Sequence, residues 1–167
     1  MHPYFLLTSL GLEVTFYFYN PNIHPKKEYI RRLKDVIAIS KKYNIPLITG
    51  RYEVKKWFDL TKNFEQEPEG GKRCTLCYRE RLDKTARTAK KLKFDLFGTT
   101  LTISPHKDHN TINAIGKELE SEKNITYYSS NFKKKDGFKK TIKLSKSLNI
   151  YRQHYCGCIY SKHKISQ

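Results

Sequence analysis

The segment LEVTFYFYNPN, residues 12–22, sets the pattern from which the fold of this chain is predicted. Its first eight residues are mostly β-branched or aromatic, a composition that favours a strand. The Asn-Pro-Asn that follows favours a turn, because both residue types fit tight backbone bends. We therefore predict a strand over residues 12–19 that runs directly into a loop.

Helices and strands alternate along most of the remaining sequence. Residues 52–71, which end in EQEPEGG, lack a regular period and are predicted to be irregular. The alternation predicts an α/β fold, here a three-layer, mostly parallel sheet with helices on both faces. Helical spacing and short β-prone runs place the further elements at helix 26–43, strand 46–49, helix 75–92, strand 94–103, helix 107–122, strand 125–129 and helix 135–148.

The length and composition of the chain predict a single folded domain over residues 1–167. With 38% hydrophobic and 13% aromatic residues, the chain has enough apolar area to form a core. Lys and Arg number 33 against 16 Asp and Glu, which gives a formal net charge of +17. Such a charge favours a polyanionic partner, because phosphate neutralisation releases counterions. A solvated, lysine-rich surface explains the charge equally well.

Several classes of protein have no support in the sequence. No apolar run is long enough to predict a membrane-spanning helix. The start, MHPYFLLTSLGLEV, lacks the basic region and cleavage site of a secretory signal, so a cytoplasmic location is expected. The glycine motifs of P-loop, dinucleotide-binding and serine-hydrolase proteins are absent. In a reducing compartment, closely spaced cysteines are more often metal ligands or redox groups than structural disulfides.

The four cysteines lie in two close pairs. Cys74 and Cys77 form a C-x-x-C at a predicted helix start, where both sulfurs face nearly one side and exposed N–H groups stabilise thiolate. Cys156 and Cys158 flank Gly157, whose backbone freedom allows a tight bend that aims both sulfurs at one point. The residues alone leave three roles open: a redox dithiol, a zinc site or an iron–sulfur site.

Four ordered motifs resemble one protein family. They are FYFYNPNIHPKKEYIRR, RCTLCYRERLDKTARTA, FDLFGTTLTISPHKDH and YRQHYCGCIYS, and together they extend over about residues 12–161. In this order they are similar to the epoxyqueuosine reductase QueH family. The resemblance implies an oxidoreductase of tRNA queuosine biosynthesis. Such an enzyme reduces epoxyqueuosine, already in the wobble position of the tRNA anticodon, to queuosine.

The resemblance also implies cofactors and partners. The family carries a 4Fe-4S cluster and an additional iron next to it, and Cys74 and Cys77 are implied here as cluster ligands. Cys156 and Cys158 are implied as catalytic thiols, either as a redox-active disulfide or as ligands of the neighbouring iron. All four cysteines are therefore candidate metal ligands. The implied partners are tRNA carrying epoxyqueuosine and an electron donor of unknown identity, with no membrane.

Polar residues in the same motifs are the candidate substrate ligands. In parallel sheets, ligands bind beyond the carboxyl ends of the strands. An unstacked RNA base can also stack on an aromatic side chain. The same residue types suit turns and helix caps. The candidates are Asn20, Asn22, Thr99, Thr100, Ser104, Gln153 and Tyr155.

One departure from the family pattern concerns the start of the chain. Family members begin with a strand and a Cys-Cys-Ala-Pro-type motif, whereas no cysteine precedes Cys74 here. We therefore expect a sheet without its first strand and a cluster site without two of its ligands. Two alternatives remain open: a non-catalytic RNA-binding module with a four-cysteine zinc site, and an inactive remnant of the reductase.

Overall fold

The computed structural model describes residues 1–162, and residues 163–167 of the predicted domain lie outside the described range. The chain forms two compact units. The first combines Met1–Gln66 with the chain from Thr141 onward, and the second is Glu67–Lys140. Each unit holds one parallel pair of strands and one pair of cysteines. No helix within residues 1–162 is long and apolar enough to cross a membrane.

Short strands alternate with longer helices along the chain. In chain order the elements are helix α1 (His2–Ser9), strand β1 (Phe16–Phe18), α2 (Lys26–Tyr43), β2 (Leu47–Thr49), α3 (Val54–Thr61), α4 (Lys72–Lys91), β3 (Leu96–Phe97), a 3-10 helix (Leu101–Ile103), α5 (His109–Lys123), β4 (Thr126–Tyr127), α6 (Gly137–Ser147) and α7 (Ile159–Lys162).

The first unit is built around the parallel pair of β1 and β2, joined by the crossover helix α2. The register places Phe16 opposite Leu47. An aromatic core lies between this pair and α2, where Phe18 and Tyr29 are buried. The Tyr29 ring stacks on Tyr52 with ring centroids 3.9 Å apart. Burial of such large rings gives a small unit much of its apolar area.

The second unit is built around β3 and β4, which also pair in parallel. Helix α4 buries a stripe at helical spacing that includes Leu82, Ala86 and Ala89. This stripe faces a stripe on α5, where Ile112 and Leu119 are almost fully buried. The start of α5 is fixed because Asp108 accepts from two backbone N–H groups of the first turn.

The predicted α/β class is confirmed, with short parallel strands between helices. The predicted single sheet differs in detail, because within residues 1–162 the strands form two separate parallel pairs. The strand predicted over 94–103 is wrong in its second half. Its pairing stops after Phe97, and Leu101–Ile103 forms a 3-10 helix. There Thr102 is buried and its hydroxyl bonds to Ser130 at 2.9 Å, so a β-branched run serves a turn.

The irregular segment predicted over 52–71 contains helix α3. Trp57 on this helix is completely buried, and Thr61, one turn later, is also buried. The Thr61 hydroxyl bonds back to the Trp57 carbonyl at 2.9 Å. The helix therefore depends on tertiary burial of one large ring, which a periodicity count over so short a segment does not detect.

We predict that Gly116→Ala lowers the free energy of unfolding. Gly116 lies on the buried face of α5, and a Cβ there would overlap the ring of Tyr127. Ala would gain about 1 kcal/mol of helix propensity. The overlap costs about 1–3 kcal/mol, and it prevails because the Tyr127 ring is held by the Phe97 ring and by Asn113. Urea unfolding measures the change.

Gly98→Ala is the matched control for this substitution. A Cβ at Gly98 would meet its nearest neighbour, the Tyr128 Cβ, at an ordinary 3.4 Å. This variant should keep the unfolding midpoint of the parent chain. A Gly116→Ala variant more stable than the parent would contradict the packing of α5 against β4.

Candidate functional site

The Cys156-Gly157-Cys158 turn lies in the first unit, in the irregular segment between α6 and α7. Cys158 is buried, whereas Cys156 is partly exposed. Gly157 has a φ of +110°, in the region that side chains rarely adopt. A Cβ there would lie 2.8 Å from Ile23 Cγ1 and 3.1 Å from Arg32 Nη1. The turn therefore requires glycine for its backbone angle and for its close packing.

Two elements of the first unit hold the backbone of this turn. Arg32, on α2, donates from Nη1 to the Cys156 carbonyl and from Nη2 to the Tyr155 carbonyl, both at 3.1 Å. The His24 N–H donates to the Gly157 carbonyl at 2.8 Å. Three successive carbonyls thus have fixed donors, so the peptide planes of the turn have defined orientations.

The Cys156 sulfur has polar partners within its own segment. Its Sγ lies 3.2 Å from Ser161 Oγ and accepts from the Cys158 N–H at 3.4 Å. Ser161 is buried, and its hydroxyl donates to the Cys158 carbonyl at 2.8 Å. No disulfide joins cysteines within residues 1–162. These contacts fix the direction in which the Cys156 thiol points.

A buried histidine adjoins the turn. His24 is 4% exposed, and its ring lies among aromatic rings, 5.0 Å from Trp57 and 4.7 Å from Phe58 between centroids. Burial lowers the pKa of His24, so the imidazole is neutral at physiological pH. Within residues 1–162 neither ring nitrogen has a hydrogen-bond partner, and the same holds for Asn22 Oδ1. Buried polar atoms of this kind call for a partner such as water or a ligand.

Tyr155 helps to hold the Cys156-Gly157-Cys158 turn in place. Its hydroxyl donates to the His24 carbonyl, and the Arg32 guanidinium carbon lies 5.2 Å from its ring centroid. Burial, and secondly the negative charge of Glu28, raise the pKa of Tyr155, so the phenol remains a donor at neutral pH. Tyr155 is partly exposed, and base stacking on its ring stays a prediction.

The cysteines of the second unit lie in the first two turns of α4, Cys74 in the first and Cys77 in the second. Cys77 is 8% exposed, and Cys74 is partly buried against the core of this unit. The Gly70 N–H donates to Cys74 Sγ at 3.2 Å. Next to it, the Lys72 N–H at the helix start donates to Glu67 Oε2 at 2.9 Å. The predicted helix start is confirmed, and a backbone donor reaches one of its sulfurs.

The predicted substrate residues divide between the units. Those of the second unit have local roles: Thr99 Oγ1 accepts from the Leu101 N–H at 3.2 Å, and Ser104 Oγ accepts from the His106 N–H at 3.3 Å. Thr100 precedes the 3-10 helix and is exposed. The turn-and-cap interpretation thus accounts for the hydroxyls of Thr99 and Ser104, whereas Thr100 makes no side-chain cap hydrogen bond. The others belong to the first unit, which also holds the C-x-C turn: Asn20, Asn22, Gln153 and Tyr155, of which Asn22 is buried and Gln153 exposed.

The two cysteine pairs offer soft donors that suit zinc or iron. Within residues 1–162, no three Cys, His, Asp or Glu side chains converge on a point where they could hold a metal ion. Each pair therefore supplies thiols that fit part of a metal site. The backbone donor to Cys74 Sγ is a feature that iron–sulfur ligands often have, since hydrogen bonds to sulfur tune the cluster.

Sequence reasoning missed the residues that support the C-x-C turn. Arg32 is 9% exposed and pairs with Glu28 on the preceding helical turn at 2.7 Å. In the sequence this pair is an ordinary i,i+4 match on a basic helix. His24 and Ser161 gave no signal either, because nothing in their local pattern indicates contact with a segment far away in the sequence. The lead available from sequence was their presence in the quoted motifs.

Comparison with known proteins agrees with the motif resemblance. A sequence model described as epoxyqueuosine reductase QueH matches residues 1–164. The epoxyqueuosine reductase QueH of Haemophilus influenzae is 45% identical over 156 residues, covering 93% of this chain and 64% of that protein. For the protein of the same name from Histophilus somni the identity is 43% over 152 residues, covering 90% and 63%. For Thermotoga maritima it is 38% over 152 residues, covering 89% and 79%.

The similarity extends over almost the whole of this chain, which spans less than two thirds of the length of the Haemophilus and Histophilus proteins. The match includes both cysteine pairs and the elements that carry them. The resemblance carried by the four motifs is confirmed, and the chain belongs to the epoxyqueuosine reductase QueH family.

Proposed function

We propose that this chain reduces the epoxide of epoxyqueuosine in the wobble position of a tRNA anticodon to the alkene of queuosine. The family match over residues 1–164 carries the proposal. Relatives named epoxyqueuosine reductase are 36–45% identical to the chain. A thiol pair on an anchored turn gives the reaction a place in this chain. A tRNA substrate is compatible with the cytoplasmic location expected from the sequence.

The dithiol of Cys156 and Cys158 can balance the reaction. Removing an epoxide oxygen as water takes two electrons and two protons. When the two thiols form an S–S bond they release both, while the two C–O bonds break and a C=C bond forms. An electron donor, whose identity is open, then reduces the disulfide to restore the thiols.

The environment of the turn supports unequal roles for the two thiols. Cys156 is the more exposed, so it is the thiol that reaches the substrate first. Ser161 Oγ, whose own proton goes to the Cys158 carbonyl, lies 3.2 Å from Cys156 Sγ and is placed to accept a hydrogen bond from that thiol. Cys158 is buried behind it and completes the disulfide.

Cys74 and Cys77 would hold the iron–sulfur cluster that the family resemblance implies. Their thiols at a helix start are suitable soft donors, and the Gly70 N–H already donates to Cys74 Sγ. A 4Fe-4S cluster, when bound, supplies electrons one at a time. If an additional iron is bound, Cys156 and Cys158 are the thiols available to ligate it.

The charge distribution supports binding of tRNA near the C-x-C turn. Residues 141–152, which lead to the turn within the first unit, hold three basic residues, Lys143, Lys146 and Arg152, and no Asp or Glu. All three side chains are exposed, and Lys143 and Lys146 lie on α6. They would hold phosphates of the anticodon stem-loop while the wobble base unstacks toward Tyr155. The other proposed substrate ligands are Asn20, Asn22, Thr99, Thr100, Ser104 and Gln153.

We predict that the chain purified without oxygen contains iron and acid-labile sulfide. The reductase and the alternative zinc module would both bind metal through thiolates, but only the reductase needs a redox-active metal. The identity of the bound metal therefore distinguishes them. Elemental analysis and the visible absorption spectrum measure it. Cys74→Ser should lower the iron content. One zinc per chain, with no iron, would support the RNA-binding module instead.

We predict that Cys156→Ser lowers formation of queuosine by about a thousandfold or more, because a hydroxyl cannot form the S–S bond. Mass spectrometry of nucleosides from tRNA treated with the variant measures the product. The same substitution at Cys74 provides the contrast, because it should reduce iron content, whereas Cys156→Ser should leave the cluster absorbance intact. Undiminished product from Cys156→Ser would reject the thiol mechanism, and no product from the iron-loaded parent chain would reject the activity.

We predict a steep dependence of tRNA binding on salt. If the basic residues contact a few phosphates, affinity for an anticodon stem-loop should fall about 50-fold between about 50 and 200 mM salt. Fluorescence anisotropy with a labelled stem-loop measures this slope. Lys143→Gln with Lys146→Gln should flatten it, whereas Lys55→Gln with Lys56→Gln on α3 should not. A flat response of the parent chain would count against phosphate contacts.

A further inference from the structure

We propose that Arg32 is the positioning residue of the Cys156-Gly157-Cys158 turn and that Glu28 orients it. The inference rests on the proposed function only in that it assigns the two thiols a reaction. The guanidinium contacts backbone carbonyls of the turn, not the sulfurs. Arg32 therefore acts through the geometry of the turn, and it is not a catalytic residue.

The contacts of Arg32 use its planar shape fully. Nε donates to Glu28 Oε1 at 2.7 Å, while Nη1 and Nη2 reach the carbonyls of Cys156 and Tyr155. A lysine carries the same charge on a single nitrogen, so it cannot bond three such acceptors in one plane. The site thus selects arginine for shape as well as for charge.

The positive charge of Arg32 is balanced within α2. The side chains of Arg32 and Glu28 are 10% and 11% exposed, so the pair is largely shielded from solvent. Because Glu28 already neutralises the guanidinium, the effect of Arg32 on the turn is mainly one of position. Arg32 therefore differs from a cationic side chain that stabilises a thiolate by its charge.

The turn is fitted to Arg32 from its own side. Gly157 leaves open the space beside Arg32 Nη1 that any Cβ would crowd at 3.1 Å. The His24 N–H also donates to the Gly157 carbonyl, and the Tyr155 hydroxyl donates to the His24 carbonyl. The arrangement holds the turn in a form in which no S–S bond joins the two cysteines.

Arg31 offers a matched control one residue away. Its guanidinium carbon lies 3.4 Å from the centroid of the Tyr151 ring, so it also contacts the segment before the turn. Within residues 1–162, its guanidinium makes no hydrogen bond to the backbone of residues 155–158. Arg31→Lys changes the same chemical group on the same helix while leaving the hydrogen bonds from Arg32 to the turn in place.

The first test measures the dithiol–disulfide equilibrium of Cys156 and Cys158 in buffers of reduced and oxidised dithiothreitol. Differential alkylation and mass spectrometry of the peptide report the oxidised fraction. In Arg32→Lys, half of the Cys156–Cys158 pairs should be oxidised at a ratio of oxidised to reduced dithiothreitol about tenfold lower than in the parent chain. The reason is that a turn released from Arg32 can bend to form the disulfide. Arg31→Lys should stay within about twofold of the parent. Equal behaviour of the two variants, or a shift toward the thiols in Arg32→Lys, would overturn the proposal.

The second test is amide hydrogen exchange, which does not depend on the proposed reaction. In Arg32→Lys the His24 and Cys158 amides should exchange about tenfold faster relative to the Gly50 amide, which donates to Phe18 in the strand pair. Uniform acceleration across the first unit would show a merely structural role and would reject positioning. If Arg32→Lys fails to fold, both measurements are made on Glu28→Gln. A smaller shift of the redox equilibrium and of the amide exchange in the same direction supports the proposal, and the absence of a shift rejects it. Neither test measures reductase activity, so both results stand if the proposed function is rejected.

Discussion

The first unit depends on the compensation of one buried positive charge. Arg32 is 9% exposed, and its partners are the Glu28 carboxylate and two carbonyls of the C-x-C turn. Removing one partner of a buried ion pair typically costs about 3–5 kcal/mol. That is a large share of the roughly 5–15 kcal/mol that keeps a domain folded. The thiol turn and helix α2 therefore form one cooperative piece of structure, and the position of the sulfurs follows from the position of the guanidinium.

The sequence was informative where local chemistry decides the structure. Alternating strands and helices, the stripe of Leu82, Ala86 and Ala89 and the C-x-x-C at a helix start are all found in the structure. The extent of the strands was not predictable, because β-branched residues such as Thr102 serve buried turns as well as strands. Helix α3 was missed because its order derives from burial of Trp57 by other elements.

For the candidate site, the cysteines could be named from sequence but their support could not. Adjacent arginines on α2 look alike in the sequence, yet Arg31 stacks on Tyr151 near the surface while Arg32 is buried under the turn. The pairs also differ in their scaffolds. Cys74 and Cys77 lie on a continuous helix, which suits ligands that must keep their places. Cys156 and Cys158 lie on a turn that a change of a few backbone angles could reshape, which suits thiols that form and break a bond.

The contact between Arg32 and Cys156 spans 124 positions of the chain. During synthesis, the guanidinium and Glu28 leave the ribosome long before the carbonyls that complete their hydrogen bonding. Arg32 therefore lacks its two carbonyl acceptors in the turn until more than a hundred further residues have been added. Formation of the C-x-C turn in its native geometry is consequently a late event of synthesis, after Cys74 and Cys77 have already been added to the chain. The sequence separation therefore delays completion of this turn until nearly the whole described chain has been made.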